Sequence, residues 1–254
     1  MFYNDNIIDF KNKIVERVGH IYNSIFLNYK SWIFLLVSLF LIDKNIISCF
    51  VSFILMLFVG HIAHYCNHDD SSYPFNIVHL YHHSHNNMFS HLIQILLEFN
   101  SLLFIIFLKY VLIFQYNINI LPFVNDWTIV FFYIFYTTVH NINYSIFHVN
   151  HIHELHHKTQ VYNIGPDIAD IILGTKLNPE TDLENTDHYI FNITLSTIIV
   201  LILKFIFNKL PFLNYVFFTT YLIGLIILIF YTIDLFIKDT DEHIEKELQH
   251  FCNK

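Results

Sequence analysis

Apolar runs long enough to cross a bilayer limit what this chain can become. Two of them, Ile190–Phe207 and Phe212–Ile233, are separated only by Asn208-Lys209-Leu210-Pro211, which reads as a hairpin turn. A span needs roughly 20 mostly apolar residues, and both qualify. Phe99–Tyr116 is a third run, interrupted only by Lys109, and Trp127–Val139 is a shorter fourth. Near the start, Trp32–Ile42 and Ile46–Gly60 flank the polar triplet Asp43-Lys44-Asn45, as two short spans in a hairpin or one broken span. Charged residues make up 13% of the 254, too few to cover a soluble domain, and apolar residues make up 55%, too many for a disordered chain. The expected fold class is therefore all-α: a polytopic helical membrane protein with about four to six spans and a cytosolic histidine-rich cap.

The remaining sequence organises around those spans. Residues 1–30 are mixed and polar and lack the apolar centre of a signal peptide; they read as an amphipathic segment on the membrane surface. Residues 31–237 form the membrane domain, and 238–254 a charged cytosolic tail. With six spans paired as 32–60, 99–139 and 190–233, both histidine-rich stretches and both termini share one side. That side carries Lys11, Lys13, Arg17, Lys30, Lys158, Lys176, Lys238, Lys246 and Lys254, against Lys44 and Lys209 opposite. Basic residues favour the cytoplasm, so the histidines are expected there. A formal charge of −8 without a basic run argues against nucleic acid as a partner. Cys49, Cys66 and Cys252 have no CxxC spacing, which argues against a disulfide framework or a cysteine-type zinc site.

Histidine is the compositional anomaly: of 18, fifteen lie between His61 and His188. His79-x-x-His82-His83 and His153-x-x-His156-His157 repeat the pattern HxxHH, and His64-x-x-x-His68 adds HxxxH. On a helix, residues i, i+3 and i+4 share a face, so each set is expected to point together. Imidazole suits iron, zinc, copper and nickel, and eight such nitrogens suffice for two metal ions with open positions. His61 is an alternative first ligand, through His61-x-x-His64; HxxxH stacks better and favours His64 with His68. Asp69, Asp70, Glu154, Asp167 and Asp170 are the nearby carboxylates expected to orient the ligands. His20, His243 and His250 read as surface residues. His85, His91, His148 and His151 read as bystanders or supports, and His188 as an interface residue or an extra contact to the metals.

Three histidine boxes among membrane spans resemble the sterol desaturase/fatty acid hydroxylase superfamily of membrane di-iron oxygenases. Asn163-Ile164-Gly165-Pro166-Asp167-Ile168-Ala169-Asp170, followed by Gly174-Thr175, is similar to that superfamily's trailing signature, with Ile164 and Ala169 where the family has Tyr and Trp. The resemblance covers about residues 32–235. It adds His140, where the family has another liganding histidine, so that residue-for-residue matching carries over His64, His68, His79, His82, His83, His140, His153, His156 and His157 as metal ligands. The implied cofactors are two iron ions, with zinc possible in isolated protein, O2 as co-substrate, and no tightly bound organic group. The implied partners are a lipid substrate, the membrane, and an electron donor such as cytochrome b5 and its reductase. The implied reaction is hydroxylation or desaturation of a sterol or fatty-acyl chain in an endoplasmic reticulum-type membrane. The alternatives are an acyl-CoA-type desaturase, whose last two boxes lie farther apart than His83 and His153, a histidine-rich metal transporter, and a non-catalytic homologue.

Overall fold

A computed structural model describes residues 2–85, 87–116, 122–159 and 161–252, with side chains from 13 to 240 except 70 and 114. The side chains of Lys11, Asp70, His243, Lys246, His250 and Cys252, and all of Lys254, lie outside the described residues. Every regular element described is helical: α1 Phe2–Leu27, α2 Tyr29–Ile42, α3 Ile46–Cys66, α4 Ile77–Ser84, α5 Met88–Leu102, α6 Phe104–Tyr116, α7 Asp126–Thr138, α8 His151–Thr159, α9 Asp167–Leu173, α10 Tyr189–Lys209 and α11 Leu213–Cys252. A short 3₁₀ turn spans Asp70–Ser72, and a π-helical turn, Val139–Tyr144, follows α7 directly.

Four helical stretches are long and apolar enough to cross a membrane: Ile46–Cys66, Met88–Ile113, Tyr189–Lys209 and Leu213–Thr240. They mark a membrane protein. Their outward faces carry large apolar side chains in the open, such as Phe191 (72% exposed) and Phe230 (69%), which water would not tolerate over so wide a surface. The second of these spans begins at Met88 rather than Phe99, because α5 runs almost straight into α6. The Trp127–Val139 run forms α7, only 13 residues long. Asp43-Lys44-Asn45 separates α2 from α3, and these two helices pack side by side. The bend of 77° lies one helix earlier, between α1 and α2. Helix α1 presents Val15, Val18, Tyr22 and Phe26 outward and rests on α9, where the Arg17 guanidinium donates to the Ile172 carbonyl at 3.2 Å.

The core joins α2, α3, α7 and α10 around Leu39, Ile42, Cys49, Met56, Ile129, Phe131 and Val200. Asparagine starts the helices that frame it. The Asn45 side chain accepts from the Ser48 amide at 3.1 Å, and Asn125 accepts from the Thr128 amide at 3.0 Å, each cap contributing about 1 kcal/mol. The lysines within apolar runs are both paired, as a membrane interior requires. Lys109 donates to Asp126 at 2.7 Å, and Lys204 donates to the Ile42 carbonyl at 2.6 Å. This frame holds α3, α5 and α7 against one another, with α4 packed on α5.

Candidate metal centre

The histidine helices converge, and they divide their ligands in a regular way. On α4, the i,i+4 pair His79 and His83 turns to one group of imidazoles and His82 to another. On α8 the division is reversed: His153 and His157 join the second group and His156 the first. The expectation that each HxxHH set would point to one place is thereby corrected. The i+3 residue is rotated about 60° short of a full turn, enough to reach across to the neighbouring group. Helix α3 supplies His64 and His68 to the first group, and the π-helical turn supplies His140 to the second. The ligand atoms of His64, His68, His83 and His156 lie within 4.8 Å of one another, as do those of His82, His140 and His157. His79 lies in the first group, its Nε2 3.1 Å from those of His68 and His83. His153 lies in the second, its Nε2 2.9 Å from that of His157. The two groups touch, with the His83 and His157 rings stacked at 4.0 Å.

The chemistry of these nitrogens suits a cation. His156 Nδ1 lies 2.9 Å from the Tyr162 carbonyl, which only accepts, so Nδ1 carries the proton and Nε2 a bare lone pair. His79 Nδ1 lies 3.1 Å from Gln94 Oε1, whose amide nitrogen is engaged with Glu98, so His79 Nε2 is also a lone pair. Both lone pairs face His68 Nε2, each at 3.1 Å, and one hydrogen cannot serve both. Protonation does not resolve the conflict at neutral pH. Burial, reinforced by repulsion from neighbouring histidines, lowers His68 and His157 to about 4, His156 to about 3 and His82 to about 2. The same causes hold His79, His83 and His153 well below the usual range. In the second group, both His82 ring nitrogens and His140 Nε2 are buried without a hydrogen-bond partner. Neutral imidazoles with converging, unsatisfied nitrogens fit metal ions.

Four of the five expected carboxylates engage other groups than the converging imidazoles, and the side chain of the fifth, Asp70, lies outside the described residues. Asp69 binds Ser71. Glu154 is half exposed and 3.9 Å from His148. Asp167 pairs with Lys176. Asp170 accepts from the Ile164 and Gly165 amides and from Thr175 Oγ1, shaping the loop that follows α8. His61 belongs to that loop's docking: its Nδ1 faces the Gly165 carbonyl and its Nε2 faces Thr175 Oγ1, both at 3.2 Å. The ligands are instead backed by the Tyr162 carbonyl, by Tyr136, whose hydroxyl is 3.2 Å from His64 Nδ1, and by Gln94 and Glu98 of α5. The apolar run that begins at Phe99 excludes Glu98, its immediate neighbour. An acid inside an apolar helix was the available signal.

The other described histidines lie outside the two groups, though His91 borders the second. His85 stacks on Tyr81 at 4.0 Å, and His148 and His151 are exposed. His91 packs edge-on against His82. His188 meets Tyr144 and Tyr189 rather than the clustered nitrogens.

Two cavities flank the centre. A narrow apolar one of about 60 Å³ runs between His64, His140 and His153 and a buried knot of Tyr144, Glu184 and Tyr189. In that knot the Tyr144 hydroxyl bonds both Glu184 and Tyr189, and burial, aided by Asp167, raises the Glu184 carboxyl to about 7. The other cavity, about 300 Å³, is more polar and is lined by His82, His83, His148, Glu154, His157 and Lys158. No family model, no curated protein and no solved structure matches the chain.

Proposed function

We propose that this protein is a membrane-bound, two-iron, O2-dependent hydroxylase or desaturase acting on a sterol or fatty-acyl chain. One observation carries the reading: nine imidazoles from α3, α4, α8 and the π-helical turn meet in two touching groups, beside an apolar cavity inside a frame of bilayer-length helices. When bound, two irons at such a site would supply the one-electron chemistry needed to activate O2 toward an unactivated C–H bond. The protein's own residues do the rest. Gln94, Tyr136 and the Tyr162 carbonyl hold three imidazoles with Nε2 toward the metals. Leu57, Phe132, Phe135 and Ile152 line the narrow cavity and keep water from the reacting carbon. The polar cavity offers a separate approach for small polar reactants and protons.

The same reading places the centre on the cytosolic face of an endoplasmic reticulum-type membrane, fed by a carrier such as cytochrome b5. Arg17, Lys30, Lys158 and Lys176 lie in the segments around the histidines, whereas Lys44 and Lys209 sit at the ends of helices reaching the opposite turns. This is the asymmetry of cytoplasmic loops.

The test loads detergent-purified protein with Fe(II) anaerobically, then adds a chemical reductant, membrane lipids and ¹⁸O2. Two metals per chain and ¹⁸O-labelled or newly unsaturated lipid are expected, both abolished in the His82→Ala, His156→Ala double variant. Loaded wild-type protein that consumes no O2 and changes no lipid overturns the oxygenase reading. Metal flux in proteoliposomes would move it to transport.

A further inference from the structure

One carboxylate, Glu98, connects the two imidazole groups. It sits inside the Met88–Ile113 span and is 4% exposed. Among the described residues it is the only acid hydrogen-bonded to any of the nine converging histidines. Its Oε1 accepts from His140 Nδ1 at 2.5 Å and from the Gln94 amide at 3.1 Å. Its Oε2 accepts from the Asn141 amide at 3.0 Å. Gln94, one helical turn earlier, passes the contact on: its Oε1 faces His79 Nδ1 at 3.1 Å. Glu98 thus reaches the second group directly, through His140, and the first at one remove, through Gln94 and His79.

We infer that Glu98 is the shared positioning residue of both metal sites, setting the tautomer of one ligand in each and supplying the negative charge beside an otherwise neutral ligand set. Three observations lead there. An acid in an apolar helix is costly unless it is paired or functional, and here every partner is a donor. The His140 Nδ1–H···Glu98 bond directs His140 Nε2 at the second group, where that atom has no other partner. Gln94 has no rotational freedom left: its nitrogen is committed to Glu98, so its oxygen must face His79. Such partners typically change metal affinity by about 10- to 100-fold. The inference rests on the nine histidines being metal ligands and not on the reaction they serve.

The test is stepwise Co(II) titration of intact, detergent-solubilised protein, followed by visible absorption, with His157→Ala identifying the step that belongs to the second group. Wild-type protein is expected to take up two ions. Glu98→Gln preserves shape, but removes the charge and sets an NH2 against a donor. It is expected to weaken the second-group step by about 10- to 100-fold, shift its absorption band, and weaken the first-group step less. Gln94→Leu is expected to weaken the first-group step alone, and it decides the matter if Glu98→Gln does not fold. Two unchanged steps and an unchanged spectrum in Glu98→Gln, or in Gln94→Leu, would overturn the role of Glu98 while leaving the metal centre standing. Wild-type protein that binds no Co(II) would overturn the metal centre and the inference together.

Discussion

The two imidazole groups are built from the same repeated motif, yet they are supported differently. In the first, His64, His79 and His156 each have Nδ1 held by an outside partner: a tyrosine hydroxyl, a glutamine and a backbone carbonyl. In the second, only His140 has such a backing, from Glu98, while His82 has none and His82 and His157 line the wider polar cavity. Preorganisation lowers the ordering cost of binding. On the proposed reading, the first group should therefore be the tighter, slower-exchanging site, touching the wider cavity only through His83, and the second the one more open to a small reactant.

The largest expected break in this contrast is His156→Ala. His156 Nε2 lies 3.1–3.2 Å from both His68 and His64, so its loss should empty the first site. His157→Ala should cost only the second ion. Metal content per chain after dialysis distinguishes them, and equal losses would erase the difference between the groups. Next in size is acidification of metal-free protein. Histidines held below 6.5 in the fold but free to protonate when unfolded leave the unfolded state binding more protons. Their contribution is therefore intact above about pH 6.5 and is lost as pH falls toward the folded values of about 4 for His68 and His157. Each such group costs up to about 1.4 kcal/mol per pH unit in that window. The melting midpoint of the metal-free protein should fall steeply between pH 6.5 and 5; bound metal should raise the midpoint without flattening that slope, because ligating imidazoles are unprotonated too.

Glu184→Gln has a smaller effect of opposite sign. Its carboxyl is raised to about 7, so the fold favours the neutral acid below the unfolded value near 4.5 and loses that advantage as pH rises through 7. The amide removes the dependence. The variant should match wild type at pH 5 and exceed it at pH 8 by up to about 3 kcal/mol, read as a higher melting midpoint. His148→Ala should change metal content by nothing measurable, because that ring is exposed at the rim of the wider cavity.

The box histidines could be read from spacing because i, i+3 and i+4 are properties of a single helix. Their allocation to two groups could not. It depends on how α4 and α8 are rotated against α3, and this is decided by contacts far apart in the chain. The apolar frame was readable for the same local reason, down to the α10–α11 hairpin. The supporting residues were not, since Gln94, Glu98 and Tyr136 follow no fixed offset from the histidines they back. The acids closest in sequence proved a poor guide: Asp167 and Asp170 are spent on the loop after α8. That loop also relies on Gly174, whose φ of 80° ends α9 in the left-handed region that glycine adopts without strain.

The π-helical turn at Val139–Tyr144 makes the second site sensitive to chain length as well as to composition. Its widened ring, closed by the Ser145 amide on the His140 carbonyl at 3.2 Å, accommodates about one residue more than an ordinary helical turn. Removing a single residue there, such as Ile142, would take out the extra residue that the wide turn holds and let the segment rewind as α-helix, narrowing the ring that carries His140. Every box histidine would survive such a deletion, but His140 would lose the wide turn that presents it to His82 and His157. The centre depends on a count of residues that an inventory of its ligands does not record.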